Sequence, residues 1–180
     1  PPRAAAPPVA PTSAAPFTTL IVTAQKRRQT LSSLPLSVAV ATLGDMGRGS
    51  TSASSNDILF STEGLAMTNL GPGRNRQFIR GVADSPFNGQ SQSTVAVQLD
   101  DARVTFDAPD PDLRLIDIDR VEILKGPQGP LYGSGALGGI YHIVTRQPEL
   151  DMFTGAVRLN AEHVQHGGFG SGVEGFVNIP

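Results

Sequence analysis

Alternating apolar and polar residues predict a series of short strands in the middle of the chain, between residues 34 and 148. Four segments have this pattern: Ser37–Thr42, 77–82, 94–99 and 120–124. In the last of them Val121 and Ile123 fall on one face, as in a strand buried on that side. A further strand is expected over 139–145, directly after a glycine-rich stretch.

Two short helices are expected between these strands. Ser55 is placed to N-cap the first, with Asp57 in its first turn, Ile58 and Leu59 facing inward and Gly64 beyond its end.

The second helix is expected to begin at Asp110 and Pro111, which form an N-cap and N1 pair. It would bury Leu113 and Ile116. Strands and short helices in this order predict a small α+β unit.

Both ends of the chain differ from this middle region. Six Pro and six Ala make up twelve of residues 1–16, which predicts an exposed, flexible arm. Residues 17–23 are nearly all β-branched or aromatic, and they predict a strand without an obvious partner. At the other end, 157–163 and 173–179 alternate around a glycine-rich turn, which suits a hairpin from a larger sheet, including the wall of a membrane barrel.

Composition narrows the possible functions. The 180 residues allow one domain with arms. A net charge of −2 offers no basis for binding phosphate backbones, so nucleic acid is not an expected partner. The chain has no cysteine, which excludes disulfides and thiolate metal sites, and no apolar run is long enough for a transmembrane helix.

Two patterns that suggest enzyme chemistry have simpler interpretations. Gly133, Gly135 and Gly138 satisfy a dinucleotide-binding pattern, but a strand should run into its first Gly and a helix should open at its last. Here 126–130 intervenes before the pattern and 139–145 follows as strand, so we expect a turn. Two of the three histidines lie near a glycine-rich turn with no Asp or Cys nearby to complete a ligand set, so no metal site is predicted. No cofactor and no enzyme activity are predicted either.

The most specific signal lies in the stretch Ile-Asp-Arg-Val-Glu-Ile-Leu-Lys-Gly-Pro-Gln-Gly-Pro-Leu-Tyr-Gly-Ser-Gly-Ala-Leu-Gly-Gly-Ile-Tyr-His-Ile-Val-Thr-Arg-Gln-Pro over 118–148. It closely resembles the signature of the plug domain of TonB-dependent outer-membrane receptors: a strand, an Arg-Gly-Pro turn, Leu-Tyr-Gly, a Gly-Gly doublet and a second strand. Residues 78–82 and 95–100 look like two earlier strands of that family. Residues 19–24 resemble a TonB box.

The resemblance implies a small mixed-sheet plug domain with short helices, followed by a hairpin from a truncated transmembrane β-barrel. The implied division is a flexible arm over 1–16, a TonB-box-like segment and linker over 17–33, the plug over 34–148 and the first two barrel strands over 149–180. The chain would be the gate of an outer-membrane receptor, inside the barrel lumen, with its N-terminal arm in the periplasm. Its partners would be TonB, its own barrel, and a scarce nutrient such as a ferric siderophore, cobalamin or a carbohydrate.

The resemblance also assigns residues to roles. The TonB-binding residues would be Thr19, Leu20, Ile21, Val22, Thr23 and Ala24. Plug–barrel contacts would come from Arg80 and Lys125. The ligand-facing apex would include Arg74, Asn75, Asn88, Gly89, Gln90 and Phe106. The structural turn would consist of Gly126, Pro127, Tyr132, Gly133, Gly135, Gly138 and Gly139.

The sequence departs from the family pattern at several of these places. Lys125 replaces the usual Arg, and an ammonium group cannot pair bidentately with a carboxylate. Tyr141 and His142 replace the usual Val-Asn. Two alternatives stay open: a stand-alone periplasmic ligand-binding module without channel activity, and a nucleotide-dependent enzyme built on the Gly133 pattern.

Overall fold

The computed structural model describes residues 21–23, 26–27, 29–42, 54–71, 74–82, 92–105 and 110–180. In chain order, its elements are β1 (Ile21–Val22), β2 (Gln29–Thr30), a 3₁₀ turn (Leu31–Ser33), β3 (Ser37–Thr42), α1 (Ser55–Ser61), β4 (Leu65–Met67), β5 (Gln77–Ile79), β6 (Val95–Leu99), β7 (Ala102–Arg103), β8 (Ile118–Lys125), α2 (Gly129–Tyr132), β9 (Gly139–Thr145), β10 (Thr154–His163) and β11 (Phe169–Asn178). Among these residues no helix is long and apolar enough to cross a membrane.

A five-stranded mixed sheet forms the centre of the molecule, as the sequence predicts. Its strand order is β3-β8-β9-β6-β7, and only β6 and β9 run parallel. Strands β1 and β2, β4 and β5, and β10 and β11 form three separate antiparallel pairs.

The sheet buries a large apolar cluster on one face. Its strands contribute Val95, Val97, Ile118, Val121, Ile123, Tyr141 and Ile143, and α1 contributes Ile58 and Leu59. The Tyr141 hydroxyl donates a hydrogen bond to the Ser55 carbonyl at 3.2 Å, so this polar group is satisfied within the core. Burial raises the pKa of Tyr141 well above its usual range, helped by the negative charges of Asp112 and Asp57.

Helix α1 forms where the sequence predicts it, but Ser54 rather than Ser55 is its N-cap. The Ser54 backbone N–H donates to Oδ2 of Asp57 at 2.9 Å, which closes the first turn. The Ser55 hydroxyl is used elsewhere: it donates to Asp112 and accepts from the backbone N–H of Leu113. Ser55 therefore fixes the helix to the segment that follows Asp110.

The second predicted helix, beginning at Asp110 and Pro111, does not form. The Asp110 carboxylate accepts the backbone N–H of Gln77 at 2.7 Å and the Ser93 hydroxyl at 3.3 Å, so it does not cap a helix of its own. The segment has no regular secondary structure beyond a bridge at Arg114, and it buries Leu115 rather than Ile116, which is exposed. Pro111 favours extended backbone at the residue before it, and the exposure of the segment alternates with a period of two instead of the helical period.

Strands β10 and β11 form the predicted hairpin, with a shorter turn than the glycines suggested. The register pairs Leu159 with Val173 and Val157 with Gly175. This odd-numbered face is apolar and exposed. The opposite face approaches the sheet region, where Nη1 of Arg114 lies 2.7 Å from Oε1 of Glu174.

Candidate functional site

The second face of the central sheet carries charged side chains at its middle. Glu122 on β8 pairs in register with His142 on β9, and His142 pairs with Gln98 on β6. Towards one end of the same face, Leu124 and Ile140 join a small apolar cluster with Tyr132. This face is therefore half apolar and half polar.

Glu122 is fully buried, and its carboxylate holds the β1 segment onto this polar half. The Thr23 backbone N–H donates to both carboxylate oxygens, at 2.9 and 3.0 Å, and the Thr23 hydroxyl donates to Oε1 at 3.2 Å. The neighbouring Val22 side chain is only 1% exposed. A segment from the start of the chain is thus attached to the sheet through one carboxylate. We call Glu122, Arg120 and His142 the arm site.

Arg120 supplies the positive charge of the arm site. Its Nε donates to Oε1 of Glu122 at 2.7 Å, and its Nη2 donates to the Thr23 hydroxyl at 3.2 Å. Its Nη1 also contacts Asp119. Burial raises the pKa of Glu122, but the approach of His142, the hydrogen bonds from Thr23 and Arg120, and the Arg120 charge together outweigh burial, so the pKa lies below its usual value.

His142 completes the arm site from the neighbouring strand. Its Nε2 lies 2.9 Å from the Asp100 carbonyl oxygen, which can only accept, so Nε2 carries a proton. Its Nδ1 lies 3.5 Å from Oε2 of Glu122 and has no hydrogen-bond partner among the described residues. Asp100 itself is held by Thr145, whose backbone N–H and hydroxyl donate to its carboxylate at 2.9 and 2.8 Å.

A cleft of about 640 Å³ lies between the sheet and the described residues 21–23 and 26–27, which we call the arm segment and which follow the arm over 1–16 in the chain. Thr23, Lys26 and Arg27 line one side, and Gln98, Asp100, Asp101, Asp119, Arg120, His142 and Thr145 are among the residues of the other. Lys26 lies 5.7 Å from the centre of the Tyr132 ring. Burial raises the pKa of Tyr132 to about 12, aided by the negative charges of Glu122 and Asp101.

The structure brings the two predicted plug–barrel residues together. A Cβ added at Gly64 would lie 3.8 Å from Nζ of Lys125 and 4.0 Å from Cγ of Arg80. Nζ of Lys125 donates to the Glu63 carbonyl at 2.6 Å, while Arg80 is exposed in a turn with a φ of 53°. Two cations therefore flank one turn at the surface.

Of the predicted apex residues, the structure describes Arg74 and Asn75. Arg74 is exposed, but Asn75 is buried, and its Oδ1 accepts the Leu70 backbone N–H at 2.9 Å. The Asn75 carbonyl accepts the Asp110 N–H at 3.1 Å. Asn75 thus joins two loops. The other four apex residues, Asn88, Gly89, Gln90 and Phe106, lie outside the described residues, as do Thr19, Leu20 and Ala24 of the TonB-box-like segment.

The glycine-rich stretch between β8 and β9 contains the short helix α2 (Gly129–Tyr132), which the sequence analysis does not predict. The Gly126 N–H donates to the Gly138 carbonyl oxygen at 3.0 Å, and the Gly138 N–H donates to the Thr94 carbonyl oxygen at 2.9 Å. Gly135 has a φ of 87°, and a Cβ there would lie 2.7 Å from the Ser93 carbonyl oxygen. Strand β8 ends before Gly126 and Gly138 leads into a strand, so the geometry of a dinucleotide site is not present.

Comparison with known proteins decides between the possible families. The TonB-dependent Receptor Plug Domain family matches residues 30–140, more than half of the chain. The chain belongs to this family. The predicted fold, a plug of mixed sheet and short helices followed by strands, is confirmed.

Several proteins similar to this plug domain are named as receptors. The ferric yersiniabactin uptake receptor FyuA from Yersinia pestis is 25% identical with a TM-score of 0.56, over 76% of this chain and 23% of that one. The pyoverdine receptor FpvA from Pseudomonas aeruginosa PAO1 is 22% identical with a TM-score of 0.63, over 87% and 24%. The pesticin receptor of Yersinia pestis is 60% identical over 35 residues, 19% of this chain and 5% of that protein. The chain thus spans at most about a quarter of these relatives.

Sequence reasoning did not single out the arm site of the plug. Arg120 and Glu122 stand at the polar positions of an alternating strand, which is also the pattern of a solvent-facing side. The one available signal was His142, which departs from the usual family residue. Its register position beside Glu122 depends on β8 and β9 being neighbours.

Proposed function

We propose that this plug is the gate of a TonB-dependent receptor that takes up a scarce nutrient across the bacterial outer membrane. The observation that carries the proposal is the family match over 30–140, continued by a hairpin with one apolar, exposed face. The proposed division is the arm over 1–16, the TonB-box-like segment and linker over 17–33, the plug over 34–148 and the first barrel strands over 149–180. The plug would lie in the barrel lumen, with the arm in the periplasm.

Residues 19–24 would bind TonB by adding a strand to the edge of its sheet, a mode in which main-chain hydrogen bonds supply affinity. The part that the structure describes is compatible with this role, because β1 is extended and Ile21 is 49% exposed. The segment also follows a stretch rich in proline and alanine.

One proline substitution in this segment, with one matched control, tests whether it binds TonB. Ile21→Pro removes a main-chain donor and should weaken binding to the C-terminal domain of TonB by about tenfold or more. Ile179→Pro, an exposed position at the other end of the chain, should leave the affinity unchanged. Equal affinities for wild type and Ile21→Pro would contradict the assignment.

Arg80 and Lys125 would contact acidic groups on the barrel wall. Their convergence around Gly64 supports this, because two neighbouring cations at a surface form a natural partner for carboxylates. Lys125 would contribute charge without the bidentate geometry of arginine.

The ligand would be a ferric siderophore rather than cobalamin or a carbohydrate, since the relatives FyuA and FpvA are named for yersiniabactin and pyoverdine. Loops that carry Arg74, Asn75, residues 88–90 and Phe106 would face it. Uptake of radiolabelled iron chelates by cells that carry the complete receptor tests the class, with labelled cobalamin as the comparison. Uptake of cobalamin but of no iron chelate would contradict it.

The alternative of a stand-alone periplasmic binding module finds less support. It requires the fold to end before the last strand pair, whereas β10 and β11 are each ten residues long and expose one apolar face. In the proposed receptor this apolar face would contact lipid.

A further inference from the structure

Asp110 lies where three segments of the plug meet. Its carboxylate accepts the Gln77 backbone N–H at 2.7 Å, and its own backbone N–H donates to the Asn75 carbonyl oxygen at 3.1 Å. The Ser93 hydroxyl lies 3.3 Å from its Oδ1. All four residues are buried, where polar groups are costly unless they are hydrogen-bonded. Asp110 therefore fastens the segment that follows it to the starts of β5 and β6.

The loop between β4 and β5 is closed at its base by its own polar groups. The Leu70 N–H donates to Oδ1 of Asn75 at 2.9 Å, and the Arg76 N–H donates to the Thr68 hydroxyl at 2.9 Å. The Arg74 side chain is exposed next to this closure. Asn75, which closes the loop with its side chain, is also the residue that Asp110 holds through the backbone.

The residues after Asp110 attach this loop to α1. The Ser55 hydroxyl donates to the Asp112 carboxylate at 3.1 Å and accepts the Leu113 N–H at 3.1 Å. The Ser55 N–H donates to the Leu113 carbonyl oxygen at 2.9 Å. We call residues 110–115 the bracing segment, since one end of it holds the β4–β5 loop and its middle holds the helix.

We propose that Asp110 is a positioning residue of the ligand site: through the bracing segment it fixes the loop that carries Arg74 relative to α1. The guanidinium of Arg74 is suited to the anionic oxygens of a ligand. A ligand that has to order its own binding loop binds more weakly, because the ordering entropy is subtracted from its affinity. The effect on ligand rests on the proposed role of Arg74, whereas the fixing of the loop does not, so the two can fail separately.

Asn is the conservative substitution at position 110. The Ser93 hydroxyl has one hydrogen, and the Val95 carbonyl oxygen at 2.6 Å is nearer to it than Oδ1 of Asp110. The amide in Asp110→Asn can therefore accept the Gln77 N–H with its oxygen and donate to the Ser93 oxygen with its NH₂. Asp110→Ala removes both contacts, so Asp110→Asn should restore what Asp110→Ala loses.

Amide hydrogen exchange of the whole chain tests the fixing of the loop without a ligand. Asp110→Ala should lower protection of the Gln77 amide by about tenfold or more, because this N–H loses its acceptor, and that of Leu70 by a smaller factor. Asp110→Asn should restore both. Asp151→Ala, at an exposed aspartate, is the matched control and should change neither. Unchanged Gln77 protection in Asp110→Ala would overturn the proposal, and so would an equal loss at Val121, which would mean general destabilisation.

The distance between the loop and α1 tests positioning directly. The chain has no cysteine, so Arg74→Cys and Phe60→Cys, both at exposed positions, can carry a pair of spin labels. The distance distribution from double electron–electron resonance should broaden when Asp110→Ala is added and should narrow again with Asp110→Asn. A distribution that keeps its mean and width in Asp110→Ala would overturn the role of Asp110.

Uptake by cells that carry the complete receptor tests the effect on ligand, with radiolabelled ferric hydroxamate, catecholate and carboxylate chelates as probes. Asp110→Ala and Arg74→Ala should each raise the half-saturating concentration about tenfold and leave the maximal rate unchanged, as expected when binding alone is weakened. The double variant should be no worse than Arg74→Ala, because Asp110 acts through Arg74.

The outcomes of the uptake experiment separate the two proposals. Wild-type affinity in Arg74→Ala would refute the ligand role of Arg74 and leave the exchange and distance results standing. A weakened Arg74→Ala with a wild-type Asp110→Ala would refute positioning of the ligand site by Asp110. Should wild type take up none of the chelates, the proposed ligand class is refuted, and the exchange and distance measurements decide the fixing of the loop.

Discussion

In strand β8 the charged side chain of Glu122 is completely buried, whereas in the hairpin β10–β11 the apolar side chain of Leu159 is 76% exposed. Both strands alternate apolar and polar residues, and both belong to antiparallel pairs. They differ in what covers each face. The apolar face of β8 is covered by α1 and its polar face by the arm segment, while the apolar face of the hairpin has no cover among the described residues.

The comparison teaches that alternation shows which residues share a face, but not which face is buried. A charge can be buried where a distant segment supplies its partners, and apolar residues can be exposed where their neighbour is lipid or another strand. Three substitution pairs test this difference, and in two of them one member lies in the sheet and the other in the hairpin.

The largest effect is expected from truncating the sheet core. Ile123→Ala should lower the free energy of unfolding by about 2–5 kcal/mol, because it leaves a cavity among fully buried side chains. Leu159→Ala in the hairpin should change it by no more than about 0.5 kcal/mol, since the side chain is exposed. Urea unfolding followed by circular dichroism measures both. A loss of more than 2 kcal/mol for Leu159→Ala would mean that the hairpin's apolar face is covered.

A smaller but still large effect is expected where glycine lets two strands approach. Gly139 has a φ of 147°, and a Cβ there would overlap the Leu124 carbonyl oxygen and lie 2.9 Å from Cδ1 of Ile79. Gly139→Ala should therefore destabilise the chain by about 1–3 kcal/mol. Gly168→Ala, in the open hairpin turn, meets no atom within 4 Å and should be nearly neutral. Similar urea-unfolding midpoints for Gly139→Ala and Gly168→Ala would show that β8 and β9 do not lie as close together as described.

The parts of the fold that could be predicted are those that depend on local pattern. The alternation of Val121 and Ile123 predicted β8, and the apolar pair Ile58 and Leu59 predicted α1. The glycine-rich stretch gave no sign of the short helix α2 that it contains.

What could not be predicted depends on distant partners. Glu122 is buried because of Thr23, 99 residues earlier in the chain, and no local signal distinguishes it from a solvent-facing residue. Asp110 resembled a helix cap, but Gln77 and Ser93 occupy its carboxylate, so no helix follows it. The roles of Arg80, Lys125 and the apex residues stay predictions, because each depends on a partner beyond this chain.

The smallest effect is expected where the hairpin meets the sheet region. Arg114 is 64% exposed and pairs with Glu174, which is 8% exposed. Exposed ion pairs contribute little, so Arg114→Ala should lower the free energy of unfolding by no more than about 1 kcal/mol. Its clearer result should be local: amides of 172–178 should exchange faster, while those of Val121 and Leu124 do not change. Arg74→Ala, another exposed arginine, serves as the control and should affect neither region. If Arg114→Ala left exchange over 172–178 unchanged, the hairpin would be held by its other contacts, such as that of the Arg146 guanidinium, whose carbon lies 5.0 Å from the centre of the Phe176 ring.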